Sequence, residues 1–480
     1  MYIFLFTLPF LFLAILLTIR IVFQKYRFFR TFGLLSFVFY FLVTLYVCFC
    51  FFNGIHSGIT TMSMYSNVFW WSKIFNWGIT LSMDGVSACF ILLSSFVFVT
   101  CGLSLWRRDG DVFEFLGLLF WLQAFIGGFF LTQDLLMLYV FFEASIIPMY
   151  LLIGRWGSGS SKIVASYYFL LYTLIGSSLM LYAICSIYLA LGTTDFSVIL
   201  RADFSKTTSV FYFFFFFIGF AVKVPLFPFH LWLPEAHVQA PTEGSVLLSA
   251  VLLKMGVYGI YKVCYGCFYS GCLYFAPLIR AFAIVGVLYS SFSAFIQLDM
   301  KRIIAYSSIA HTNLTVLGMF SFNVEGIHGG LILSIAHGLV SAALFFLIGF
   351  LYDRYGTRNV NAFGGLSQVM PLFNFFFLFF VLCNIGTPLS LNFIGEFLIF
   401  VGVFKHSFFL CLLSAFSVFS GLLYSFWLYL RIMSGSLKVS YVNSFFDLTK
   451  VEFFILLPYA ACLLCLGVYT KPILFMLACV

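Results

Sequence analysis

The stretch "GFAVKVPLFPFHLWLPEAH", residues 219–237, closes an apolar run and then changes character. Val210 to Val222 holds nothing more polar than a tyrosine; Lys223 then appears, followed by Pro225, Pro228, His230 and Pro234. An apolar run of this kind reads as a membrane span. A charged side chain at the centre of such a span costs about 2.5–3.5 kcal/mol on insertion scales. Proline has no N–H, so Pro225 leaves the carbonyl of Ala221, and Pro228 that of Val224, without a helical donor. Irregular backbone is tolerated at membrane depth where it lines a wet cavity or is buried in protein. The stretch therefore predicts a broken helix, with released carbonyls beside Lys223, in a polytopic membrane protein.

The rest of the chain agrees. Of 480 residues, 63% are hydrophobic and only 8% charged, against about 25% charged in a soluble domain. The 70 phenylalanines read as compositional bias. A hydrocarbon core of about 30 Å needs roughly 20 apolar residues per helix. On that basis the fold class is an all-α polytopic membrane protein of fourteen spans. They fall near 2–20, 33–53, 79–105, 112–131, 134–154, 164–192, 209–230, 242–265, 271–297, 302–321, 327–351, 370–404, 406–432 and 451–477. Proline breaks the seventh and the twelfth.

Spans four to eight and nine to thirteen form two blocks of five, each with a broken helix in fourth place. Because five is odd, the second block is inverted relative to the first, as in many transporters. The expected division is 1–110 for the first three spans, 111–268 and 269–435 for the repeats, and 436–480 for the last span. The opening "MYIFLFTLPFLFLAILLTIR" lacks a basic leader and a small-residue cleavage site, so it reads as a span and not as a signal peptide. Nor is it an arginine-rich transit sequence, which points to a bacterial chain or to one made inside its own organelle.

The net charge of +8 reflects topology. With the loop after the first span on the negative side, that side collects fifteen of the 24 lysines and arginines: Arg20, Lys25, Arg27, Arg30, Arg107, Arg108, Arg155, Lys162, Lys301, Arg302, Arg354, Arg358, Arg431, Lys438 and Lys450. The other side holds six, Lys73, Arg201, Lys206, Lys262, Lys405 and Lys471, while Lys223, Lys254 and Arg280 fall within spans. This positive-inside bias places both termini on the positive side and makes a nucleic-acid partner unnecessary. Among the 13 cysteines, Cys264, Cys267 and Cys272 come nearest a metal spacing, but no Cys/His cluster completes four ligands. No iron–sulfur set, haem-attachment motif, phosphate loop or dinucleotide fingerprint is present.

Ionisable groups inside the spans carry the functional signal. They are Glu143, Lys223, Lys254 and Glu396, joined by His311 and His337, with His230 at the end of the seventh span. Burial disfavours the charged form of such groups and a nearby opposite charge restores it, so a change of partner moves a proton. The expected scheme pairs Lys223 with Glu143, lets Lys223 turn toward Lys254, and relays through His311 and His337 to Glu396. In the twelfth span Pro388 frees the carbonyl of Asn384 just before Glu396. The competing roles are a static Glu143–Lys223 pair locking two helices, and histidines that only join helices.

"FFEASIIPMYLLIGRWG", "KVPLFPFHLWLPEAHVQAPTEGSVLLSAVLLKMGVYG", "QLDMKRIIAYSSIAHTN" and "LNFIGEFLIFVG" together resemble the antiporter-like subunits of proton-pumping NADH:ubiquinone oxidoreductases (respiratory complex I). The likeness runs from about residue 80 to 435, and the glutamate at 396 marks a branch distinct from those with lysine there. It implies a proton-translocating subunit driven by electron transfer elsewhere. Glu143 and Lys223 would be the switch pair, Lys254 the central relay, His311 and His337 connecting groups, and Glu396 the exit-side acid. It also implies that this chain holds no cofactor, with NADH, flavin, iron–sulfur clusters and ubiquinone in partner subunits. The partners would be other membrane-arm subunits, notably the antiporter-like chains 2 and 5, and membrane lipids. With the phenylalanine bias of an AT-rich organellar gene, the expected place is the mitochondrial inner membrane, both termini facing the intermembrane space. A cation/proton antiporter subunit is the alternative, and a scaffold whose buried charges fix helix register is the blandest reading. Two departures stand out. The family's usual "HVEAP" is "HVQAP" here, with Gln239 for the acid and an extra acid at Glu243, and Leu389 stands where glycine or proline usually follows the twelfth-span proline.

Overall fold

In a bilayer a backbone must satisfy its own N–H and C=O groups, and the chain is helical nearly throughout. The computed structural model describes residues 2–22, 26–56, 66–72, 77–107, 112–438 and 446–478; Lys25, Lys73 and Arg108, used in the charge balance, lie outside them. Helices α1 (Tyr2–Val22) and α2 (Tyr26–His56) precede an antiparallel hairpin, β1 (Ser66–Ser72) with β2 (Trp77–Leu81). Helix α3 (Gly85–Ser104) follows. The expected third span, 79–105, thus begins too early. Thr80 and Ser82 bond through their backbones to Gln133 and Leu131 at the end of the next span, and the helix starts only after its Asp84 cap.

The first block comprises α4 (Val112–Leu131), then α5 (Leu135–Ala144) and α6 (Ile146–Trp156), which form the fifth span with a step at Ser145. Next come α7 (Lys162–Leu191), the short α8 (Phe196–Ile199), α9 (Lys206–Lys223) and α10 (Trp232–Gln239). The eighth span runs α11 (Thr242–Leu247), a π-helical turn (Leu248–Leu252), α12 (Leu253–Gly259) and a second π-helical turn (Ile260–Tyr265). The second block is α13 (Tyr269–Ile296), α14 (Met300–Met319), α15 (Val324–Tyr355), the broken pair α16 (Pro371–Ile385) and α17 (Leu391–His406), and α18 (Phe408–Met433). The expected last span, 451–477, is two helices, α19 (Lys450–Val468) and α20 (Lys471–Ala478). Pro472 explains the interruption: it has no N–H for the carbonyl of Val468 and fits only a first turn. Among the described residues twelve spans are long and apolar enough to cross a membrane. The less apolar α14 and the pair α16–α17 bring the total to about fourteen.

Both breaks lie in fourth place of their blocks. The first is a packed joint, and it corrects the expectation of an open carbonyl at Ala221. Helix α9 stops at Lys223, and the carbonyl of Ala221 accepts from Leu226 N–H at 3.0 Å as the chain turns. The Trp232 indole donates to the carbonyl of Val222 at 3.0 Å, and the Asn313 amide donates to that of Pro225 at 3.2 Å. At the second break Gly386 and Leu389 both take left-handed backbone, φ 81° and 75°. Glycine adopts this freely; a side-chain-bearing residue loses roughly 1–2 kcal/mol. Leucine at 389 therefore makes this joint strained.

Helix α15 is the central column, buried along its whole membrane-crossing length. It packs against α3, α11, α14, α16, α17 and α19. Small residues permit this: a Cβ at Gly329 would fall 2.7 Å from the backbone of Ile399 in α17, and one at Gly395 would fall 2.7 Å from that of Leu333 in α15. Close helix approach through small residues replaces the hydrophobic effect as the packing principle inside lipid. It also brings Glu396 up to the histidines of α14 and α15.

Candidate functional site

Lys254 sits in the seven-residue α-helical segment between the two π-helical turns, almost wholly buried. π-turns are wider than α-turns and recur at functional sites. Here the Lys254 Nζ donates to the carbonyl of Ser249, in the preceding π-turn, at 2.6 Å. It also lies 3.1 Å from His337 Nδ1 on α15. A buried ammonium group survives only where such partners replace its water.

His337 continues the row. Its ring centroid is 5.2 Å from that of His311 on α14. His337 Nε2 is buried without a hydrogen-bond partner among the described residues. His311 Nδ1 in turn lies 3.4 Å from Glu396 Oε1 on α17. The backbone of Asn384, whose carbonyl Pro388 deprives of its helical donor, faces His311. Gly386 keeps the break open beside the acid, because a Cβ there would fall 2.5 Å from Glu396 Oε2. A cavity of about 20 Å³ lies against His311, Asn384, Glu396, Ser417 and Tyr424, enough for one water. Four titratable side chains from four helices thus form one row: Lys254, His337, His311, Glu396.

Glu143 and Lys223 form a separate pair. Glu143 lies in the last turn of α5, two residues before the step at Ser145, half-buried, with Oε1 lacking a hydrogen-bond partner among the described residues. Lys223 Nζ reaches the residues flanking it: the carbonyl of Phe142 at 3.5 Å and Ser145 Oγ at 3.4 Å. It also sits 4.1 Å over the Phe142 ring. A desolvated cation–π contact of this kind contributes about 2 kcal/mol. The two charges are electrostatic neighbours without a direct ion pair in this structure. Lys223 and Lys254 are not brought together, since one points to the end of α5 and the other to α15.

His230 stands apart from both groups. It lies in the joint before α10, buried against Phe227 and Tyr289 at centroid distances of 5.6 and 5.1 Å.

Three residues were not singled out from sequence as members of the buried network, or were placed wrongly. Lys301, counted with the negative-side loops, is buried, its Nζ donating to the carbonyl of Ala240 at 2.9 Å and to Ser245 Oγ at 3.3 Å. Only its neighbour Arg302 points outward, pairing with Glu235 at 2.5 Å. His237, fully buried, stacks on Phe345 at 4.7 Å with both ring nitrogens unpartnered among the described residues. Lys254, Lys301 and His337 are its electrostatic neighbours. Glu243, noted only as a departure, accepts from Ser104 and Thr242 hydroxyls, each at 3.0 Å. Its position in "HVQAPTEG", four residues after Gln239, was the available signal.

Among the described residues no group of three or more His, Cys, Asp or Glu side chains could hold a metal ion. Cys272 donates to the carbonyl of Cys264 at 3.2 Å. The arrangement suits proton exchange between neighbouring bases.

Comparison with known proteins points the same way. The family model described as NADH:quinone oxidoreductase/Mrp antiporter, TM, matches residues 132–423. Chain 4 of the NADH-ubiquinone oxidoreductase of Chondrus crispus is 43% identical over 416 residues, covering 86% of this chain and 85% of that one. Its counterpart from Arabidopsis thaliana is 44% identical over 407 residues, covering 84% and 82%. A solved chain of respiratory complex I from Thermus thermophilus with bound NADH matches with TM-score 0.87 at 29% identity, covering 99% of this chain and 98% of that one.

Proposed function

Because the chain belongs to the NADH:quinone oxidoreductase/Mrp antiporter transmembrane family, we propose that its buried row of titratable groups is a path for protons. The chain is a proton-translocating membrane-arm subunit of respiratory NADH:ubiquinone oxidoreductase and resembles chain 4 of that enzyme. The observation that carries the path is the continuity of Lys254, His337, His311 and Glu396. Lys254 gives a proton to His337 Nδ1 and becomes neutral. The imidazole releases a proton from its other nitrogen toward His311, and His311 Nδ1 passes one to Glu396. Each ring takes a proton on one nitrogen and gives it up from the other, as neutral imidazole can near physiological pH. The water-sized cavity beside Glu396 supports release beyond the acid.

Glu143 and Lys223 set the timing. An ionised Glu143 attracts Lys223, and protonation removes that attraction, so the ammonium group's hold on the end of α5 depends on the charge next to it. The step at Ser145 and the joint after Lys223 are the backbone features that let this pair move.

The motive force comes from electron transfer from NADH to ubiquinone in other subunits, where NADH, flavin, iron–sulfur clusters and quinone bind. The partners are further membrane-arm subunits, with the antiporter-like chains 2 and 5 as neighbours. The chain is a multi-pass membrane protein of the mitochondrial inner membrane, its termini in the intermembrane space by the charge bias of its loops. Its organisation is 1–110, two inverted repeats at 111–268 and 269–435, and a C-terminal segment at 436–480.

The experiment replaces Glu143 with glutamine in the whole assembly and follows NADH-driven proton uptake in sealed vesicles. Normal assembly with uptake per NADH oxidised lowered by most of this chain's share is expected for loss of a switching charge. Undiminished uptake would remove the switch and leave Glu143 and Lys223 as a helix lock.

A further inference from the structure

On the side that the loop charges make negative, a cavity of about 420 Å³ opens between the ends of α3, α6, α11, α14 and α15. Ser104, Glu243, Lys301, Asp353 and Arg354 line it. It is large enough for several waters. At its floor Glu243 is 95% buried, its two oxygens held by the hydroxyls of Ser104 and Thr242. Glu243 and Lys301 are electrostatic neighbours, as are Lys301 and His237, and His237 in turn neighbours Lys254 and His337. The His237 ring, fully buried with neither nitrogen hydrogen-bonded among the described residues, is the kind of group a functional polar network leaves available. Gln239, the last residue of α10, faces Gly159 in the neighbouring loop and cannot carry charge.

We propose that Glu243 is the carboxylate that collects protons from the negative-side vestibule and feeds them through His237 to Lys254. The inference rests on the proton path proposed above and supplies its inlet. The carboxylate takes a proton from a vestibule water, forming the acid O–H, and the hydroxide left behind is neutralised by bulk buffer. The acid then releases the same proton inward and returns to its charged form, ready for the next. Lys301, whose Nζ donates to the Ala240 carbonyl and Ser245 Oγ, lines the same vestibule as the carboxylate. A glutamate four residues after position 239 can thus serve the same loop although position 239 itself carries no acid.

The test uses the whole assembly in sealed vesicles, with Glu243→Gln beside Lys254→Met. Glu243→Gln is expected to slow proton passage through this chain at least about tenfold, so that uptake per NADH oxidised falls by nearly this chain's share, while NADH oxidation by a soluble artificial acceptor stays unchanged. Azide, a small weak acid that fits the vestibule, should restore uptake in Glu243→Gln and not in Lys254→Met, whose lesion is deep in the protein. Glu243→Asp should restore it without azide. If glutamine prevents assembly, Glu243→Ser, which keeps a hydroxyl and leaves room for azide, carries the same comparison. Full uptake in Glu243→Gln with loss in Lys254→Met would overturn the inlet and leave the buried row standing. Full uptake in both would overturn the row itself. Loss in Glu243→Gln that neither azide nor aspartate restores would make Glu243 a structural group, against the proposal.

Discussion

Replacing Lys254 with methionine is expected to abolish proton passage through this chain without dismantling it. Methionine has nearly the length and volume of lysine and its flexible thioether adapts to irregular cavities. The apolar surroundings of Lys254 would accept it more readily than they accept an ammonium group. What disappears is the only proton carrier positioned 3.1 Å from His337 Nδ1 among the described residues. A positioned proton-transfer group contributes about 10²–10⁴-fold in rate, and methionine supplies none of it. Proton uptake per NADH oxidised should fall by this chain's whole share, while artificial-acceptor oxidation, which needs only the assembled redox arm, continues. The two readouts separate a blocked path from a lost subunit.

Substituting alanine for Glu452 should have the opposite profile. Glu452 is fully buried, accepts from Arg354 at 2.5 Å, and closes a capping box with Thr449 at the start of α19 through bonds of 2.6 and 3.0 Å. Arg354 also reaches the carbonyls of Phe350 and Asp447, and the Asp447 carboxylate caps the first turn of α16. One carboxylate thus ties α15, α16 and α19 together. Removing a single partner of a buried pair leaves an uncompensated charge and costs about 3–5 kcal/mol. The lost cap adds about 0.5–2 kcal/mol. That sum is comparable with the whole stability of many domains. Assembled enzyme, measured as membrane-bound NADH oxidation with an artificial acceptor and as intact complex on a native gel, should therefore drop severely. Arg354→Met together with Glu452→Met, which removes both charges, should recover much of it.

The two substitutions mark what the sequence made legible. Buried charges inside apolar runs announce themselves because lipid makes them expensive, so Glu143, Lys223, Lys254 and Glu396 could be found without coordinates. Prolines marked both broken helices for a similar reason. Lys301 was harder to read: it follows the Asp299 helix cap and precedes the outward-facing Arg302, so nothing local distinguishes it from a loop cation. Only the carbonyl of Ala240, 61 residues away, explains its burial. The carbonyl of Ala221 was misjudged because proline chemistry predicts which acceptor loses its helical donor but not that the N–H of Leu226, in the turn that follows, replaces it. The π-helical turns around Lys254 were not read from the sequence, since the glycines there, Gly256, Gly259 and Gly266, are equally compatible with an unbroken α-helix against its neighbours. Glu243 was visible as an anomaly in "HVQAPTEG", yet its meaning depends on a vestibule assembled from five separate helices.

The most direct test of the buried row is proton uptake per NADH oxidised in sealed vesicles for His311→Gln, His337→Gln and the double variant. Groups acting in series on one path lose the same function once, so the account predicts that the double variant pumps no less than the worse single one. Undiminished uptake in either single variant, or losses that add in the double, would contradict a single row running from Lys254 to Glu396.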